Sequence, residues 1–109
     1  MTLEEIFYDL DRQYGGRFCW RMLPFTDRSF VEELKREIGE NHPLWGKQLW
    51  AAAKSDTGDR VLYLTEEGDY YIFHLTYSEH NQEGFPVCQR FPGIEEVKEA
   101  LEQETLKER

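Results

Sequence analysis

The sequence is poor in the features that usually announce a function. Its 109 residues include two cysteines and four prolines, and 13 Lys plus Arg stand against 22 Asp plus Glu. Cys19 and Cys88 lie far apart with no CxxC, which excludes a zinc framework and a dithiol redox motif. Each sits in an apolar alternating run, so both are expected as reduced, buried small hydrophobes in a cytoplasmic protein. The net charge of −9 argues against nucleic acid and anionic membranes, because phosphate backbones are bound through Lys and Arg that displace counterions. No apolar run approaches the ~20 residues that span a bilayer. The opening Met-Thr-Leu-Glu-Glu-Ile lacks the basic and apolar regions of a signal peptide.

Catalytic and cofactor motifs are equally scarce. Gly46-Lys47 fails as a phosphate loop, since Asn41 stands where a glycine is needed and Gln48 where Ser or Thr is needed. There is no GxGxxG, GxSxG, HExxH or EF-hand loop, so no cofactor is expected and the reading leans away from an enzyme. Asp56-Thr57-Gly58 has the letters of an aspartic-protease triplet, but Lys54-Ser55 precedes it in place of a burying hydrophobic strand, and it reads as a turn. His74, Glu79 and His80 could meet as metal ligands if the chain turned back on itself, yet spacing alone does not bring them together, and no metal is expected. Cysteine catalysis would need an exposed, electropositive thiol. The arginines beside Cys19 and Cys88 read more simply as the wet faces of edge strands.

What is present is aromatic and periodic. Three Trp, six Tyr and seven Phe in one short chain exclude disorder, and the length suits a single domain over 1–109 that needs no staple to close a core. Thr2 and Glu5 form a capping box ahead of Leu3, Ile6, Phe7, Leu10 and Tyr14 at helical spacing, ended by Gly15-Gly16. Residues 17–25 alternate as a strand. Thr26, Asp27 and Ser29 are alternative caps for a second helix, Ser29 with Glu32 making a capping box, with Phe30, Val31, Leu34 and Ile38 as its buried stripe.

Residues 40–46 read as a loop. Residues 48–54 fit strand or helix; Leu49, Ala51 and Ala53 alternate, three alanines favour a helix, and the shortness of the run favours strand. Arg60–Thr65 and Tyr70–Tyr77 read as a hairpin across Glu66-Glu67-Gly68-Asp69. Tyr71, Phe73, Leu75 and Tyr77 share one face, Tyr70, Ile72, His74 and Thr76 the other, and a strand apolar on both faces should be central. A polar loop, a short strand over Val87–Phe91 and an amphipathic helix after Pro92-Gly93 complete the order α-β-α-β-β-β-β-α. The expected fold is α+β, a mainly antiparallel sheet of about four to five strands with three helices packed on one side.

The residues with most scope for binding are aromatic or titratable. Trp45, Tyr70 and Tyr77 are candidate anchors, since Tyr and Trp combine a large apolar area with a polar tip. His42, Lys47, His74 and Thr76 are the alternative, a small-molecule or hydrolytic site. Charge is uneven: residues 1–16, 60–92 and 93–109 each carry −3 and 17–59 sum to zero. That excess suits a basic protein partner occluded in the manner of an immunity protein, and a homodimer through a sheet edge is a further possibility.

The run His42-Pro43-Leu44-Trp45-Gly46-Lys47, Asp59-Arg60-Val61-Leu62-Tyr63-Leu64, Gly68-x-Tyr70 and His74-Leu75-Thr76-Tyr77 resembles a group of short bacterial proteins built around an HPLxGK … DDVLFxL … DGxYxxVHLTW pattern. The resemblance covers about a third of the chain. Arg60 replaces a second Asp of the pattern and Tyr77 replaces Trp. It implies a bacterial cytoplasmic domain and carries no activity with it.

Overall fold

The computed structural model describes residues 2–24, 26–40, 42–56, 58–75 and 87–107. Helix α1 (Leu3–Tyr14) begins at the expected capping box: Glu5 N–H donates to Thr2 Oγ1 at 3.2 Å and Thr2 N–H to Glu5 Oε1 at 2.9 Å. Gly15 ends it at φ 59°, a conformation that costs glycine little. Then come β1 (Trp20–Met22), α2 (Ser29–Ile38), β2 (Leu49–Ser55), β3 (Arg60–Thr65), β4 (Tyr70–His74), β5 (Val87–Phe91) and α3 (Ile94–Lys107). The sheet is a five-stranded antiparallel meander in the order β1-β2-β3-β4-β5, an α+β fold. The ambiguous run 48–54 is therefore strand from Leu49 onward, as part of β2, and β4 is internal. None of the described helices is long and apolar enough to cross a membrane.

The helices do not share one side of the sheet, contrary to the expectation from sequence. One core gathers Ile6, Leu10, Val97 and Leu101 of α1 and α3 over Leu62 and Ile72 of the sheet. The other gathers Val31, Leu34 and Ile38 of α2 over Val61, Tyr63 and Phe73. Strand alternation explains the split: successive residues of β3 and β4 point to opposite faces, both sets are apolar, and each set needs its own cover.

A β-bulge in β2 contributes. Ala51 pairs with Tyr63 and Ala53 with Leu62, so Ala52 is the extra residue. Leu49 and Ala51 consequently face α2 while both Ala52 and Ala53 face α1 and α3. The expected alternation Leu49, Ala51, Ala53 on one face is broken at that point. The small side chains of Ala52 and Ala53 lie in the same core as Phe7, Phe18 and Trp20, and Phe7 meets Phe18 edge to face at 5.2 Å.

Three local expectations need correction. The first strand covers only Trp20–Met22, because Gly15–Arg17 forms a 3-10 turn before it. None of the expected caps Thr26, Asp27 and Ser29 occupies the N-cap of α2, which is Arg28 with no side-chain cap bond; one residue earlier, Asp27 Oδ1 accepts from Ser29 Oγ at 2.6 Å and Ser29 N–H at 3.0 Å, and these bonds hold its carboxyl below the usual range. Cys19 is half-buried and Cys88 exposed, both as free thiols, rather than buried. Cys88 pairs with Phe73 on the edge strand β5, where no further described strand covers it.

Candidate functional site

The alternation of β4 decides which candidate residues can act together. Phe73 faces α2, so Ile72 and His74 face the α1/α3 side. His42 lies on the α2 side, its ring 5.8 Å from that of Phe73. His42 and His74 thus fall on opposite faces of the sheet, and the constellation His42, Lys47, His74 is not assembled. Trp45 and Tyr70 are separated in the same way, because Tyr70 packs with the α1/α3 core. Burial there pushes its hydroxyl pKa up. Thr76, Tyr77, Glu79 and His80 lie outside the described residues.

On the α2 side, residues 42–48 form a loop built by its own hydrogen bonds. His42 Nδ1 accepts from Leu44 N–H at 3.1 Å, and Trp45 N–H donates to His42 O at 3.0 Å. Lys35 of α2 reaches across and donates to the carbonyls of Trp45, at 2.8 Å, and Lys47, at 2.7 Å. Desolvation lowers the Lys35 pKa. Lys47 pairs with Glu67 of the β3–β4 turn, and that bond raises its own pKa. Leu44 is buried beneath the loop while Trp45 is 40% exposed. The effect is to hold one aromatic side chain at the surface on a fixed backbone.

On the other side, β3, β4, β5 and the second half of α3 enclose an open cleft of about 790 Å³. Ala100, Gln103, Glu104 and Lys107 line it at the i, i+3, i+4, i+7 spacing of one helical stripe. Arg60, His74 and Gln89 line it from the strands. Arg60 is the node of its wall: the guanidinium pairs with Glu104 and lies 5.4 Å over the Trp20 ring, and Trp20 Nε1 donates to Glu104 at 3.4 Å. This half-buried triad ties α3 to β1 and β3.

The outer surface of the same layer is acidic. Helix α1 carries Glu4, Glu5, Asp9 and Asp11 against Arg12, and α3 carries five glutamates against Lys98 and Lys107. Together the two helices hold two-thirds of the chain's net charge of −9. Tyr14 joins them by donating its hydroxyl proton to Glu102 at 2.9 Å. Tyr8, 66% exposed, stands in a shallow groove with Glu4, Glu5 and Asp9.

Neither Tyr8 nor Arg60 was among the residues picked from sequence. A signal for Tyr8 existed, because it falls outside the stripe Leu3, Ile6, Phe7, Leu10 and is an aromatic on a polar helix face. For the cleft the sequence offered His74 alone, and nothing in it joined that residue to the lining residues of the three other elements. Among the described residues no group of three or more His, Cys, Asp or Glu is placed to hold a metal. Although Cys88 is exposed, the protein atoms around its sulfur desolvate the thiol and raise its pKa, which opposes the thiolate a nucleophile needs. No family model, no curated protein and no solved structure matches the chain, so the reading of its site rests on this geometry.

Proposed function

We propose that the protein is a non-enzymatic binding domain that occludes a basic protein partner with the α1/α3 layer. The observation that carries this reading is the concentration of charge: nine carboxylates against three cations on two adjacent helices, with the exposed Tyr8 among them. Opposite charge on a partner would steer encounter and fix orientation. Tyr8 would supply the apolar anchor that charge alone lacks, its ring already covered on one side by the Arg12 guanidinium at 6.0 Å. This is the mode of an immunity-type protein. The sequence-pattern resemblance supports a bacterial origin, and the two free cysteines support a cytoplasmic setting.

The test is affinity capture from the lysate of the encoding organism, with wild type and a Glu4→Lys/Asp9→Lys variant as paired baits. A stoichiometric basic protein held by wild type, released between low and moderate salt and absent from the variant supports the reading. Capture that survives both the charge reversal and salt overturns it, as does an empty wild-type capture.

A further inference from the structure

The α1/α3 layer is acidic everywhere except along one flank. On the side of α3 that meets β3 to β5, Arg60, His74 and Lys107 line the cleft against Glu104, the one carboxylate among the described lining residues. That carboxylate is engaged by Arg60 and Trp20. Lys107 is left as the uncommitted full charge, and it outweighs the roughly half negative unit that the C-terminal end of a helix contributes. Among the described residues no hydrogen bond or ion pair engages the side chains of His74, Gln89, Gln103 or Lys107. Four polar groups therefore face one volume with their bonding capacity unused, above an apolar floor of Ile72 and Ala100.

We infer that this cleft binds a ligand ending in one carboxylate on a compact apolar body. The carboxylate sits between Lys107 and His74, the amides of Gln89 and Gln103 supply further donors, and the body lies on Ile72 and Ala100. A charge-assisted bond to Lys107 is the strongest single contact available. A dianion is disfavoured, because Glu104 lies in the same wall and the whole chain carries −9. The volume of about 790 Å³ lies within the range of small-molecule sites.

The experiment is an amide-resolved NMR titration of the full chain with benzoate, benzamide and the acid acetyl-alanyl-alanine. Saturable shifts by benzoate at residues 72–74, 89 and 100–107 are expected, with benzamide at least about tenfold weaker because it lacks the charge. Lys107→Ala, at the exposed end of α3, is expected to weaken benzoate about three- to tenfold. Lys98→Ala makes the same change in net charge outside the cleft and is expected to leave the affinity unaltered. Tighter binding of acetyl-alanyl-alanine than benzoate assigns the carboxylate to a peptide terminus, and the reverse assigns it to a free acid. The inference is overturned by shifts that do not saturate, by shifts centred elsewhere, by equal binding of benzamide, or by equal weakening in the two lysine variants.

Discussion

The two faces of the sheet are covered by unlike means. Over the α1/α3 face two helices meet, and their side chains are joined by Tyr14–Glu102 and by the Arg60–Glu104–Trp20 triad. Over the other face lies one helix, α2, followed by a loop that Lys35 holds through two carbonyls. The first arrangement leaves its charge on the outside and a cleft along its flank. The second spends a lysine inside the structure, and Arg28 likewise donates to Leu49 O at 2.8 Å. The difference bears on function: cations on the α2 side are largely committed to the backbone or, for Lys47 and Arg36, to Glu67 and Glu33, while the carboxylates of α1 stay on the surface. A basic partner would thus meet little competition on one face, and an acidic partner would find few free cations on the other.

The largest test of this contrast is in the cores. Leu10 and Leu34 are each fully buried, one under α1 and one under α2, and replacing either with Ala should cost about 2–5 kcal/mol. Urea denaturation followed by circular dichroism should show a single transition in both variants if the two faces unfold as one unit. A two-step transition in either would separate them. Next in size is Lys35→Met, which removes two bonds from a charged donor and strands two carbonyls; a loss of about 1–3 kcal/mol is expected. Amide exchange in residues 42–47 should quicken with it, and unchanged exchange would mean that the loop holds without the clamp. Smaller again are the Asp27–Ser29 bonds at the start of α2. Asp27→Ala, which removes both, should lower the melting temperature slightly, and Ser29→Ala, which removes one, by less, whereas a larger loss at Ser29 would restore the capping box that the sequence suggested.

How much of this was legible in the residues depends on the range of the interactions involved. The elements were, because they rest on local signals: Thr2 with Glu5 starts α1, and the turn before Gly68, at φ 94°, joins β3 to β4. The layer arrangement was half legible. A strand apolar on both faces, such as Tyr70–His74, demands cover on both, and that inference argues against helices on one side alone. The bulge at Ala52 was not legible, since three identical side chains carry no mark of which one is extra. The candidate site was the least legible part. His42 and His74 belong to one resembling motif yet are separated by the sheet itself, and the cleft joins Arg60 to Glu104 across a separation of 44 residues. Pattern within a segment shows which side a residue faces, but which segments share that side is set by packing.

The smallest effect concerns the α2-side loop and acid. Burial lowers the pKa of His42 from the usual 6.5, and its Nδ1 accepts Leu44 N–H, which a ring protonated there could no longer do. The unfolded chain takes up this proton near pH 6.5 and the folded chain only at lower pH. Stability from this group is therefore complete above that value and is lost as the pH falls through it toward the lower folded value. The melting temperature should therefore drop as the pH is lowered from about 6.5 toward the lower folded value. In His42→Asn the side-chain oxygen can accept the same Leu44 N–H, in the manner of an Asx turn, without titrating. The drop should be shallower in that variant than in wild type. Equal slopes in wild type and His42→Asn would assign the acid sensitivity to other groups and leave the loop insensitive to pH.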